Sequence, residues 1–287
     1  MFMWRYLFKS FIIISCTIQI TSFAEENATE TPKWKFDEIL DALIITNASN
    51  TNTVVMPKGW LERRSQAVAQ LHALGTNALP LLIEELHYAA SMEKTNAVEA
   101  INLKTRIAFA FKVLGPEADP LIPQLIIDLD SNRDPGNAAQ ALADIGEPAG
   151  GFALVEALTN PAPRVQISAA TSLAFFKMDS DVANAAIPSL LWCLEVNSIT
   201  LRSVSMNTLS TLRARPEIVL PALLKIAEND QEPILRAYAV QAIGRFGTNA
   251  ISMESDLREL SDSDKNELVR RTAKRVLLSI RNNTSIP

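Results

Sequence analysis

Residues 232–250, EPILRAYAVQAIGRFGTNA, are one copy of a degenerate pattern that recurs about seven times and occupies most of the 287-residue chain. With Arg236 as position zero, Ala239, Val240, Ile243 and Phe246 fall at plus 3, 4, 7 and 10. That spacing is one face of a helix with 3.6 residues per turn, so the face is apolar and built for burial. Gly247 follows at plus 11. A helix commonly ends there in a conformation that glycine alone adopts without Cβ strain, so the helix is expected to stop at Phe246.

The same register places zero at Arg64, Lys104, Pro135, Gln166, Arg202, Arg236 and Arg270, in steps of 40, 31, 31, 36, 34 and 34 residues. The plus-7 column is Leu71, Phe111, Leu142, Leu173, Leu209, Ile243 and Leu277, and the plus-10 column is Leu74, Leu114, Ile145, Phe176, Leu212, Phe246 and Ile280. Both are apolar in every copy. Plus 3 is small or aliphatic throughout, and plus 11 is glycine at Gly75, Gly115, Gly146 and Gly247, with Lys177 and Arg213 marking turns of another shape.

A second motif follows the first in five of the copies. Pro80, Pro123, Pro188 and Pro221 are each preceded by an aliphatic residue and followed, after one residue, by two more aliphatics; the third copy puts Phe152 in place of proline. Proline suits a first helical turn, where its missing N–H would have no partner anyway. Each unit therefore reads as helix, glycine turn, helix. Nine glycines and the absence of alternating apolar runs leave little room for a sheet.

Residues 1–24 read as a signal peptide. Arg5 and Lys9 precede an apolar run over residues 11–20, and Ala24 supplies a small residue just before Glu25. Cys16 also sits in a lipoprotein-like box, so cleavage after Ala24, lipidation at Cys16 and retention as an anchor all remain open, and membrane attachment depends on the last two. Cleavage after Ala24 would leave 25 basic against 32 acidic residues and a single cysteine, Cys193, which reads as a buried structural thiol.

Residues 25–59 hold a polar segment, a helix with apolar spacing through Trp34, Ile39, Leu40 and Leu43, and an Asn/Thr-rich linker; 60–281 form the repeat domain and 282–287 a polar tail. The early helix either caps the array or offers a separate interaction surface. Acids cluster at the later junctions: Asp128, Asp130 and Asp134, then Glu228, Asp230 and Glu232, then Asp262, Asp264 and Glu267. They either pair with Arg202, Arg236 or Arg270 or offset helix dipoles.

The set of Val/Leu-Arg, Ala-Ala, x-Ala-Leu, Gly and Pro-x-Leu-Leu across residues 60–281 resembles the short HEAT-like repeats also seen in bilin lyases. The resemblance implies an all-α, right-handed α-solenoid of about seven helical-hairpin units, its Pro-led helices lining the inner side. It implies stacking rather than chemistry. HEAT-like deoxyhypusine hydroxylases hold iron with His-Glu pairs, but His72 and His87 are not followed by Glu. No metal, cofactor or catalytic residue is expected, and a sequence pI near 5.3 argues against nucleic acid. A bilin-lyase-type accessory role is the alternative, against which the export signal stands.

The expected function is a non-catalytic scaffold binding an unknown protein partner outside the cytoplasm. If plus 2, 3 and 6 from each proline are buried, the plus-4 column projects outward: Glu84, Ile127, Glu156, Trp192 and Lys225. Trp192 then either anchors a partner or fills a gap between helices.

Overall fold

The computed structural model describes residues 33–43, 58–131 and 135–281. The signal segment, Cys16, the linker, Asp134 and the polar tail lie outside the described residues. Among those described, every regular element is a helix. The first is α1 (Lys33–Leu43). The repeats then alternate a first helix with a second: α2 (Trp60–Leu74) and α3 (Leu79–Met92), α4 (Ala97–Leu114) and α5 (Ile122–Asp130), α6 (Pro135–Ile145) and α7 (Ala149–Ala157). They continue with α8 (Pro163–Leu173) and α9 (Asp181–Cys193), α10 (Ile199–Leu212) and α11 (Pro216–Asn229), α12 (Pro233–Arg245) and α13 (Glu254–Ser263), ending on α14 (Glu267–Arg281).

The helices divide into two compact halves, residues 1–150 and 151–287. In the N-terminal half, α4 packs on α6, α3 on α4 and α5 on α6. In the C-terminal half, α8, α10, α12 and α14 stack in sequence, while α9, α11 and α13 each pack on the first helix of the next repeat. Each half is thus a stack of helical hairpins of the α-solenoid kind.

The register read from the sequence accounts for the core. All seven plus-7 side chains are buried, as are all seven at plus 3. Five of the plus-10 side chains are buried and Leu74 and Phe176 are half-buried. A large aliphatic side chain contributes about 1.5–3 kcal/mol on burial, so these columns dominate the stability of the stack.

The glycine turns are tighter than a simple helix end. Gly75 (φ 50°, ψ −127°) and Gly115 (φ 51°, ψ −124°) occupy backbone space closed to residues with a Cβ, and each donates its N–H back to the carbonyl of Leu71 or Phe111. Gly247 has φ 58°. A 3-10 segment, four residues long from Gly75 and seven from Gly115 and from Gly247, then runs into the next helix. Arg213 (φ 49°, ψ 19°) is left-handed but lies in the region a side chain tolerates, so its turn differs in ψ rather than in the sign of φ. The α12 helix ends at Arg245, one residue before the expected stop, because Phe246 already donates to Ile243 in a 3-10 geometry.

The Pro-led helices correct one expectation. Plus 2 (Leu82, Leu125, Leu154, Leu190, Leu223) and plus 6 (Leu86, Leu129, Leu158, Leu194, Ala227) are buried in every repeat from α3 to α11, but plus 3 is only half-buried throughout: Ile83, Ile126, Val155, Leu191 and Leu224. Plus 5 is the third core position instead, at Glu85, Ala157, Cys193 and Ile226. At about 100° per residue, plus 2, 5 and 6 centre the buried stripe and plus 3 falls about 110° to one side of it.

The zero position has a role the pattern alone did not reveal. Gln166 donates to the carbonyl of Leu158 (3.2 Å), Arg202 to that of Leu194 (2.8 Å), Arg236 to that of Asp230 (2.9 Å) and Arg270 to that of Asp264 (2.6 Å). Each ties a first helix to the end of the preceding second helix. Two arginines also reach forward 28 residues: Arg202 pairs with Asp230, and Arg236 makes a two-pronged bond to Asp264, 2.9 Å on each prong. Asp230 and Asp264 also accept the N–H of Glu232 and Asn266 at the start of the next repeat. The pairing read from the sequence is thus made by Asp230 and Asp264.

Candidate partner-binding face

The geometry of this face follows from the corrected register. Plus 4 lies about 150° from the centre of the buried stripe, and all five plus-4 residues are exposed: Glu84, Ile127, Glu156, Trp192 and Lys225. Trp192 is 53% exposed. It stands out from α9 with about half of its surface open to solvent.

In the N-terminal half the column carries Glu84 on α3 and Ile127 on α5. The α1 helix buries Phe36, Ile39, Leu40 and Leu43 and packs on α2 and α4. Its Lys33 sets its ammonium 3.0 Å from Glu84 and 2.8 Å from the buried carboxylate of Glu85. Hydrogen bonding to Glu85, then to Glu84, holds Lys33 above the ordinary lysine range. Glu84 is thus already engaged within the chain.

The C-terminal half presents Glu156 on α7, Trp192 on α9 and Lys225 on α11, and its α9 and α11 are in direct contact. Lys225 lies 3.3 Å from Glu195, one turn beyond Trp192. Both partners are 70% exposed, so solvent leaves the pair only a few tenths of a kcal/mol. Further along α11, burial and the nearby Asp256 and Glu259 raise the Glu228 carboxyl above its ordinary range.

Sequence reading passed over the neighbours that widen this face. Phe152, Pro188 and Pro221, one helical turn before the plus-4 residues, are exposed, Phe152 at 44%. The signal was available, since positions four apart share a helix face. Cys193 points the other way and is buried; burial pushes its thiol pKa up, with Ser205 partly offsetting. A protonated thiol in that setting is a packing group.

The two histidines tie neighbouring elements together. His87 on α3 lies 2.8 Å from Asp128 on α5, and His72 lies 3.3 Å from Glu117. Among the described residues no group of three or more His, Cys, Asp or Glu side chains is placed to hold a metal, and no helix is long and apolar enough to cross a membrane.

No curated protein matches the chain. Among solved structures, a crystal structure of an engineered protein is similar at 15% identity over 87% of this chain and 97% of that one, with a TM-score of 0.39. Residues 220–287 match the family described as HEAT repeats. The chain is a helical repeat protein whose last repeats, α11 to α14, are similar to HEAT repeats.

Proposed function

We propose that the protein is a non-catalytic scaffold or adaptor that binds a protein partner through the exposed face of its Pro-led helices. The observation that carries this reading is Trp192, 53% exposed in a face that also shows Phe152 and two prolines. Interface energy concentrates in such aromatic anchors when a rim of polar residues surrounds them, here Glu156, Lys225 and Glu195. Stacked helical repeats suit this task because their cores are internal and leave the outer columns free to vary.

Affinity capture with the wild type, Trp192→Ala and Phe175→Ala tests it. Phe175 is also an exposed aromatic, at 65%, but lies on the turn after α8. The Trp192 variant is expected to keep its helical circular dichroism and melting temperature and to lose about 2 kcal/mol of partner affinity, near thirtyfold. Equal capture by all three proteins would remove this face from consideration.

The setting we propose is outside the cytoplasm. Support comes from Arg5 and Lys9 ahead of the apolar run and from Ala24 before Glu25. Fractionation of the native host followed by N-terminal sequencing is expected to recover a chain beginning at Glu25 outside the cytosol. An intact Met1 in the cytosol would refute export, and palmitate incorporation at Cys16 would establish a lipid anchor instead.

A further inference from the structure

The α10 and α12 helices, neighbours among the first helices of the C-terminal half, enclose an open cleft of about 360 Å³. Ser203, Asn207 and Ser210 line one wall from α10, and Tyr238, Gln241 and Arg245 line the other from α12. Their spacings, i, i+4, i+7 and i, i+3, i+7, put each trio on a single helix face. The cleft is therefore walled by two polar stripes that face one another, with the buried side chain of Met206 among its lining.

Two observations set this cleft apart. The chain has 32 acidic against 27 basic residues, yet no Asp or Glu lines the cleft and its one charged group is Arg245. The second is how that guanidinium is held. Its Nη1 donates to Asn207 Oδ1 and, at 3.4 Å, to Ser210 Oγ, while its Nε and Nη2 make no bond to any described residue. A tie between α10 and α12 needs only the Nη1 side. The Nε–Nη2 edge is the fork that receives a carboxylate in two parallel bonds, and here its plane is already fixed by Asn207 and Ser210.

We propose that this cleft binds a small hydroxylated carboxylate, its carboxylate on the Nε–Nη2 edge of Arg245 and its hydroxyl groups on Ser203, Gln241 and Tyr238. The cleft volume is at the lower end of the range for small-molecule sites and suits a ligand the size of a monosaccharide acid. Gln241 offers both a donor and an acceptor to adjacent hydroxyls, and the 42% exposed ring of Tyr238 offers a face against a sugar-like ring. This site is separate from the Pro-led face, so the two assignments stand or fall independently.

Titration of the isotopically labelled full chain, followed by NMR, tests the proposal with three probes: glucuronate carries both a carboxylate and hydroxyls, acetate the first alone and glucose the second alone. Glucuronate is expected to give saturable shifts confined to the amides of residues 203–210 and 238–245 and to the Arg245 Nε–H. Acetate should need at least tenfold higher concentration, and glucose should give no shifts there. Arg245→Gln is expected to raise the glucuronate dissociation constant at least tenfold, and Trp192→Ala to leave it unchanged. If Arg245→Gln fails to fold, Gln241→Ala serves in its place, with an expected threefold or larger rise. The proposal is overturned if glucuronate gives no saturable shifts, if acetate or glucose matches it, or if the folded variant binds like the parent.

Discussion

Gly150→Ala is expected to destabilise the protein by about 3 kcal/mol, at the upper end of what overpacking costs. A Cβ placed on Gly150 would lie 2.1 Å from the carbonyl oxygen of Leu142, a backbone atom that cannot rotate aside. The same carbonyl accepts the N–H of Gly146 at 3.2 Å, which fixes it further. Relief requires residues 146–150 to move away from the end of α6. Gly151 provides the comparison. A Cβ there meets Val182 and Phe176 at 2.5 and 2.9 Å, but these are side chains that can repack, so Gly151→Ala should cost less. Urea unfolding of the two variants beside the parent measures the difference. A Gly150→Ala urea midpoint equal to the parent's would show that Gly150 does not lie this close to the Leu142 carbonyl.

Asp264→Ala is expected to cost about 3 kcal/mol as well, by a different route. The Asp264 side chain is 6% exposed and that of Arg236 11%, so removing the carboxylate strands a largely buried guanidinium. Breaking such a pair from one side typically costs about 3–5 kcal/mol; the surviving bond from Arg236 to the Asp230 carbonyl keeps the estimate at the lower end. The substitution also removes the acceptor for the Asn266 N–H. Lys225→Ala, which breaks the solvent-screened pair with Glu195, should stay within about 0.5 kcal/mol.

The same pair sets a pH dependence. Burial pushes the Asp264 carboxyl up, but Arg236, the Asn266 amide and Arg270 together outweigh it and hold the group below the ordinary carboxylate range. A carboxyl depressed in the folded state contributes stability that is fully present above its unfolded value, about pH 3.9, and is lost as the pH falls through its folded value. Acid should therefore weaken the parent more steeply below about pH 4 than it weakens Asp264→Asn. Asp144 works with the opposite sign: burial raises its carboxyl in spite of Gln140 and Lys112, so protonation favours its folded form. Denaturant titrations of the parent and Asp264→Asn at several pH values read this out, and parallel curves would mean that Asp264 is not the depressed group.

Burial within a helix is a periodic, local property, and for that reason the columns were legible in the chain. Leu71 to Leu277 at plus 7 and the glycines at plus 11 could be aligned without coordinates, because every repeat solves the same packing problem with the same spacing. The outward direction of Glu84, Ile127, Glu156, Trp192 and Lys225 followed from that period too, even though plus 3 was assigned to the core and proved to be its flank. Partnerships across the stack are not periodic in one helix, and only the tertiary structure decided them. Nothing in the sequence says that Lys33 would engage Glu84, which of the junction acids Arg236 would grip, or that Gly150 would lie against a carbonyl. Nor does the sequence show that Ser203, Asn207, Ser210, Tyr238, Gln241 and Arg245 would face each other across one cleft. Those outcomes depend on how far one helix turns and slides against the next, and a shift of a residue or two in either direction would leave every apolar column intact while pairing different polar groups.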